Sequence, residues 1–260
     1  MTACGAQPEA QANIFAAQAP ANMNLALPPF LPSLHNFLNL FFPQTCVACG
    51  LEPPAPASCF CRSCQTNLLP TGQHLLRENE FSQRFWGLLP IQAGAAMFHF
   101  VKKSPVQRAL HQLKYRNRAD VGLKIGRQFG RQLLQSELFR PVDVIVPVPL
   151  HPKKERIRGY NQSAKFAEGL GEAMQKPVEN QALARQVFSQ SQTQKSRSER
   201  FQNVGAAFVL KKRAPLEGKN VLLVDDVLTT GATLESCGRQ ILEVPGTRLF
   251  LATIAIAERG

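Results

Sequence analysis

Val221 to Thr233 reads VLLVDDVLTTGAT, four apolar residues that stop at two adjacent carboxylates and are followed by a turn of small residues. The apolar run predicts a buried strand over Val221–Val224, and the helical spacing after it predicts a helix over Thr233–Leu242. Where a strand end meets a helix start, uncommitted backbone N–H groups and the positive end of the helix dipole converge, which suits a phosphate. Gly231 lets the backbone approach such an anion, and Thr229, Thr230 and Thr233 add hydroxyl donors. Asp225 and Asp226 can accept hydrogen bonds from the vicinal hydroxyls of a ribose or organise a magnesium ion. An ordinary strand–turn–helix with a capping aspartate would share the acidic pair and the glycine, so the weight rests on the whole thirteen-residue pattern.

Upstream, Val144 to Gln162 reads VIVPVPLHPKKERIRGYNQ. The β-branched run Val142–Val148 predicts a second buried strand, opening at Pro147 and Pro149 into a turn loaded with Lys153, Lys154, Arg156 and Arg158. A helix is expected over Gln162–Met174 and a further strand over Leu249–Ile256. Between Val106 and Leu134 the apolar positions recur at helical spacing among basic residues, which predicts two amphipathic helices broken near Asn117. Strands alternating with helices at this spacing predict an α/β fold with a parallel sheet covered by helices on both faces, from about residue 90 to 260.

The N-terminal part has a different composition. Residues 1–32 are rich in Ala, Gln, Pro and Asn, contain no Lys or Arg, and are expected to be a disordered extension. Met23 is a second candidate start besides Met1. Ser33 to Phe42 places Leu34, Phe37, Leu38 and Phe41 at helical spacing, a short amphipathic helix. Cys46-x-x-Cys49 and Cys61-x-x-Cys64, eleven residues apart, have the spacing by which four thiolates close a tetrahedral Zn2+ site, so a zinc module is expected over about 33–70. Four sulfur ligands leave no open coordination position, so the role expected is structural. Cys59 could replace Cys61 as a ligand, and Cys237 reads as a small core residue.

Thirty Lys plus Arg against 18 Asp plus Glu give a formal charge of +12, which favours polyanionic partners such as nucleic acid or phosphorylated metabolites. An apolar content of 44% is enough for a sizeable core. The longest apolar run near the N-terminus, Asn36 to Pro43, is too short to span a bilayer and no basic signal-peptide start precedes it. With clustered cysteines in place of a disulfide framework, the expected location is cytoplasmic. No partner can be assigned by spacing to His99, His111 or His151, and no general base is evident.

The thirteen-residue stretch closely resembles the signature of type I phosphoribosyltransferases, which bind phosphoribosyl pyrophosphate (PRPP). By position, the resemblance makes Asp225 and Asp226 ribose ligands and Thr229, Thr230, Gly231, Ala232 and Thr233 the 5′-phosphate loop. Purine-salvage members place an aspartate where Thr229 stands, which argues against that branch. Four further features, in order, resemble the ComF family of competence-associated proteins. They are the paired CxxC knuckles, HQLKYR at His111 to Arg116, PVPLHP with RGYNQ, and SQTQKSRSERFQNV at Ser189 to Val204. The resemblance implies a pyrophosphate loop at Val148, Pro149, Leu150, Lys153, Arg156 and Arg158, and a flexible hood carrying Lys195, Arg197 and Arg200. It also implies Mg2+ accompanying PRPP, and single-stranded DNA and competence machinery proteins as partners. The activity expected is displacement of pyrophosphate from Mg-PRPP in or near DNA uptake, with the acceptor open; the alternative is a non-catalytic PRPP-sensing module that binds single-stranded DNA.

Overall fold

Strands and helices alternate along the computed structural model, which describes residues 45–186 and 207–258. The strands are β1 (Ile91–Phe100), β2 (Val144–Pro147), β3 (Leu183–Arg185), β4 (Phe208–Leu210), β5 (Asn220–Leu228) and β6 (Arg248–Ala257). The helices are α1 (Arg62–Gln65), α2 (Glu80–Gln83), α3 (Pro105–Tyr115), α4 (Ala119–Leu134), α5 (Pro152–Arg158), α6 (Gln162–Met174) and α7 (Ala232–Leu242). Four strands form a sheet in the order β1-β6-β5-β2 with every neighbouring pair parallel, and β3 and β4 make a separate antiparallel pair.

A parallel sheet buried on both faces needs apolar residues at every position, which is why these strands read as continuous runs. Leu222 and Val224 of β5 face one side with Phe250, Ala252 and Ile254 of β6, against Ile125 and Phe129 of α4 and Phe166 and Leu170 of α6. Val221, Leu223, Leu249 and Leu251 face the other side with Leu234, Cys237 and Ile241 of α7. Helices α4 and α6 pack backbone to backbone. A Cβ on Gly126 would lie 2.3 Å from the Phe166 carbonyl, and one on Gly169 would lie 2.2 Å from the Leu123 carbonyl. Alanine at either position would force the pair apart at a cost of about 1–3 kcal/mol.

The expected helix over Gln162–Met174 is present with those bounds, and the break near Asn117 is a residue with φ of 54° between α3 and α4. Three features differ from the expectation. First, β5 does not stop at the acids, because β6 continues alongside and pairs Asp225 with Thr253, Val227 with Ala255 and Leu228 with Ile256. Second, the basic stretch after β2 is helical: His151 Nδ1 accepts from the Lys153 N–H, Pro152 occupies the first turn, and Gly159 ends α5. Third, the Ala- and Gly-rich β1, unread in the sequence, closes one edge of the sheet. The expected extension 1–32, the helix Ser33–Phe42 and the hood at Ser189–Val204, with Lys195, Arg197 and Arg200, lie outside the described residues. Among the described residues no helix is long and apolar enough to cross a membrane.

Candidate functional site

The β5–α7 connection occupies the carboxyl end of the sheet. Gly231 is the N-cap of α7 with φ of 91°, a left-handed conformation that a side chain would strain. Because the cap is glycine, it has no side chain to accept from the N–H groups of the first turn, and only a long contact from the Ala232 N–H to Thr230 Oγ1 at 3.4 Å stands in its place. Those donors and the helix dipole therefore point at whatever sits in front of the loop. Thr229, Thr230, Ala232 and Thr233 are exposed while Gly231 is buried, so the loop presents its rim to solvent. The structure thus brings all five predicted loop residues together at one helix start.

The acidic pair lies just before this loop and its members have different surroundings. Ser163 Oγ donates to Asp225 Oδ1 at 2.8 Å, and the Asp226 N–H donates to the same oxygen at 2.8 Å. Burial, and secondarily the adjacent Asp226 charge, pushes the Asp225 carboxyl up to about 7. Asp226 instead forms an ion pair with Lys114 of α3, Nζ to Oδ2 at 2.8 Å. One acid therefore faces the start of α6 and the other faces a cation.

The RGYNQ motif assembles the opposite wall. Tyr160 OH donates to the Leu113 carbonyl at 2.6 Å, which ties the end of α5 to α3. Asn161 caps α6 by accepting from the Ser163 N–H at 3.0 Å, and its Nδ2 donates to the Val148 carbonyl at 2.9 Å. Arg158 donates to Gln162 Oε1 at 2.7 Å, and its guanidinium carbon lies 5.4 Å from the centroid of the Tyr115 ring. A cleft of about 560 Å³ results, lined by Lys114, Tyr115, Lys154, Arg156, Ile157 and Arg158 among others. The six predicted pyrophosphate-loop residues do not all share it. Arg156 and Arg158 line this cleft, Pro149 and Leu150 line a neighbouring one of about 540 Å³, Val148 is buried, and Lys153 is exposed at the start of α5.

The four predicted cysteines come together. The sulfurs of Cys46, Cys49, Cys61 and Cys64 lie within 4.8 Å of one another, and Cys49 and Cys61 are 3.8 Å apart. A tetrahedral ion with metal–sulfur bonds of about 2.3 Å needs sulfur–sulfur edges of about 3.8 Å, so this donor set fits a metal ion such as zinc. Cys59 is turned away: its N–H and thiol donate to Gln128 Oε1 of α4 at 3.0 and 3.1 Å, and burial pushes the thiol up to about 12. The cluster also grips α3. Gln112 Nε2 donates to the Ala48 carbonyl at 2.8 Å, and Arg108 approaches Cys64 Sγ at 3.8 Å.

Lys114 and Tyr115 lie in the HQLKYR motif, and the structure gives them Asp226 and Arg158 as partners. The sequence reading did not single out Ser163, and it did not reach Arg84, which donates to the Thr229 carbonyl from a segment without any motif. A serine at the first turn of a well-read helix was the one available signal for Ser163. For Arg84 there was none.

Residues 165–258 match the family model described as a phosphoribosyl transferase domain. The DNA utilization protein YhgH of Escherichia coli (strain K12) is 28% identical over 141 residues, which is 53% of this chain and 61% of that protein. Competence protein ComFC of Bacillus subtilis (strain 168) is 34% identical over 100 residues, 38% of each chain. The matched region thus spans about three fifths of the first relative's length and less of the second's. Among solved structures, the glutamine phosphoribosylpyrophosphate amidotransferase from B. subtilis complexed with ADP and GMP is similar at 24% identity and a TM-score of 0.40, over 55% of this chain and 30% of that one. The domain match covers the loop and the relatives carry DNA-utilization and competence names, which supports the resemblance of this chain to the ComF family.

Proposed function

We propose that the chain binds Mg-PRPP and, given an acceptor, displaces pyrophosphate from it, in or near DNA uptake. The observation that carries this reading is a glycine-capped helix start preceded by an acidic pair, one member of which is ion-paired with Lys114 of the cationic cleft. In this assignment the N–H groups of the Thr229–Thr233 loop hold the 5′-phosphate, and Asp225 and Asp226 accept from the ribose hydroxyls. Their hard oxygens also suit Mg2+, which when bound with PRPP would offset the pyrophosphate charge. Arg156 and Arg158, with Val148, Pro149, Leu150 and Lys153 around them, border the leaving group, where fixed cations favour the charge that develops. Lys195, Arg197 and Arg200 are assigned by family resemblance to the segment that covers the ligand. Zn2+ is assigned to Cys46, Cys49, Cys61 and Cys64 in a structural role, in a module of about 33–70 ahead of a phosphoribosyltransferase domain of about 90–260. Free thiols used as metal ligands suit a reducing compartment, and the cytoplasm is the proposed location.

Isothermal titration with Mg-PRPP tests the site. The wild-type chain is expected to bind, and Asp225→Asn with Asp226→Asn to weaken binding by about 100-fold through loss of two charged acceptors. Unaltered affinity in the double variant contradicts the assignment. Pyrophosphate release is then measured across ammonia, candidate bases and single-stranded DNA.

A second reading, a PRPP-sensing module that binds single-stranded DNA without turnover, is favoured by one observation. Tyr115 is 65% exposed beside Arg158 in a cationic cleft, a combination of stacking face and phosphate partner. PRPP binding with no pyrophosphate release, together with strongly salt-dependent DNA binding, separates this reading from the enzyme.

A further inference from the structure

The segment between the cysteine cluster and β1 carries no motif, yet it lies directly beneath the phosphate loop. Asn79 caps α2, accepting from the Ser82 N–H at 2.9 Å, and its Nδ2 donates to the Gly94 carbonyl of β1 at 3.0 Å. Phe81 and Phe85 are fully buried on this face of the sheet. Between them, Arg84 is only 5% exposed. Its Nη1 donates to the Thr229 carbonyl, and its Nη2 donates to the Ala257 carbonyl at the end of β6 and to Glu80 Oε1, the last at 2.6 Å. Its Nε–H meets no acceptor among the described residues. Phe85 completes the support, because a Cβ on Gly231 would come within 3.3 Å of its ring.

A desolvated guanidinium with an unpaired N–H is an expensive way to fill a core, and an apolar side chain would fill it more cheaply. What the arginine does that an apolar residue does not is fix a peptide plane. In a trans peptide the carbonyl and the following N–H point in opposite directions. Holding the Thr229 carbonyl inward therefore aims the Thr230 N–H outward, toward the space in front of the loop. The same fork ties the loop to the end of β6, so that the turn into Gly231 is set before any anion arrives.

We propose that Arg84 is a positioning residue for the anion held by the Thr229–Thr233 loop, presenting the Thr230 N–H to a sugar phosphate without touching it. This rests on the PRPP reading of the site. It predicts that Arg84 acts on the 5′-phosphate and not on the pyrophosphate.

The test titrates Arg84→Lys and Arg84→Met in the full chain with Mg-PRPP and with ribose 5-phosphate, beside Arg158→Ala. Both Arg84 variants are expected to weaken the two ligands by the same factor, about 10–50-fold for Met and less for Lys, which can reach a single carbonyl. Arg158→Ala is expected to weaken Mg-PRPP alone. Unaltered affinity in folded Arg84 variants, or a loss confined to Mg-PRPP, overturns the proposal. Should both variants fail to fold, Glu80→Ala loosens the same guanidinium from the surface side, and a two- to five-fold loss for both ligands is expected, roughly one neighbouring contact's worth; wild-type affinity there overturns it equally. A wild-type chain that binds neither ligand removes the site reading itself, which is a different result from an Arg84 variant that binds normally.

Discussion

The proposed phosphate loop and the cationic cleft, joined through the Lys114–Asp226 ion pair, are made differently. The loop is contiguous: in the proposed site Thr229 to Thr233 would act through backbone N–H groups whose direction follows from one left-handed glycine and one helix start. The cleft is composite: Lys114 and Tyr115 come from α3, Lys154, Arg156 and Arg158 from α5, and they meet because Tyr160 and Asn161 bond to backbone elsewhere. A backbone site fails as a unit when one dihedral is wrong. A side-chain site loses affinity in steps, and salt screens each step.

The largest effect expected from this contrast is at Gly231. Gly231→Val puts a β-branched residue at φ of 91° and a Cβ within 3.3 Å of the Phe85 ring. Affinity for Mg-PRPP should fall by about 100-fold or more and stability by about 1–3 kcal/mol, read by titration and thermal melting. A valine variant that binds like the wild type would break the claim that the loop works through its backbone. In the composite wall, Arg158→Ala should weaken Mg-PRPP by about ten-fold at low salt, with the difference shrinking as salt rises. A salt-independent loss there would mean that Arg158 acts through packing on Tyr115 instead of through its charge.

A smaller effect distinguishes the two acids. The Asp225 carboxyl is held near about 7 in the folded chain, above its ordinary value, by burial and by Asp226. The folded protein therefore keeps a proton that the unfolded chain has already released, and stability falls as pH rises from about 4 through about 7. Asp225→Asn removes that dependence while retaining an acceptor for Ser163. Melting temperatures of the wild type and the variant should diverge by the equivalent of about 1–3 kcal/mol between about pH 5 and pH 8, with the variant the more stable at high pH. Parallel curves would show that Asp225 is ionised throughout.

The same contrast explains what could be read in the sequence. The loop, the cysteine knuckles and helix α6 are local: chemistry and geometry sit in one stretch of chain, so spacing is enough. Strand β1 was unread because the AGAA run at the middle of IQAGAAMFHF, which pairs beside β6 at the sheet edge, carries little β signal. Helix α5 was read as a turn because prolines precede it and its exposed basic residues show no apolar stripe. The extension of β5 through Asp225 and Asp226 depends on partners in β6, more than twenty residues further along the chain. Lys114 and Arg84 are single cations whose roles exist only through contacts with Asp226 and with the Thr229 carbonyl, 112 and 145 positions away. The HQLKYR motif marks the stretch around Lys114 but not its partner, and nothing local marks Arg84.

Backbone amide NMR during a titration with ribose 5-phosphate tests the central claim most directly, because it reads the loop N–H groups one by one. The account predicts that the resonances of Thr230, Gly231, Ala232 and Thr233 shift first and furthest, ahead of any change at Lys114, Arg156 or Arg158. Saturating shifts confined to the cationic cleft, with the four loop amides unmoved, would contradict it.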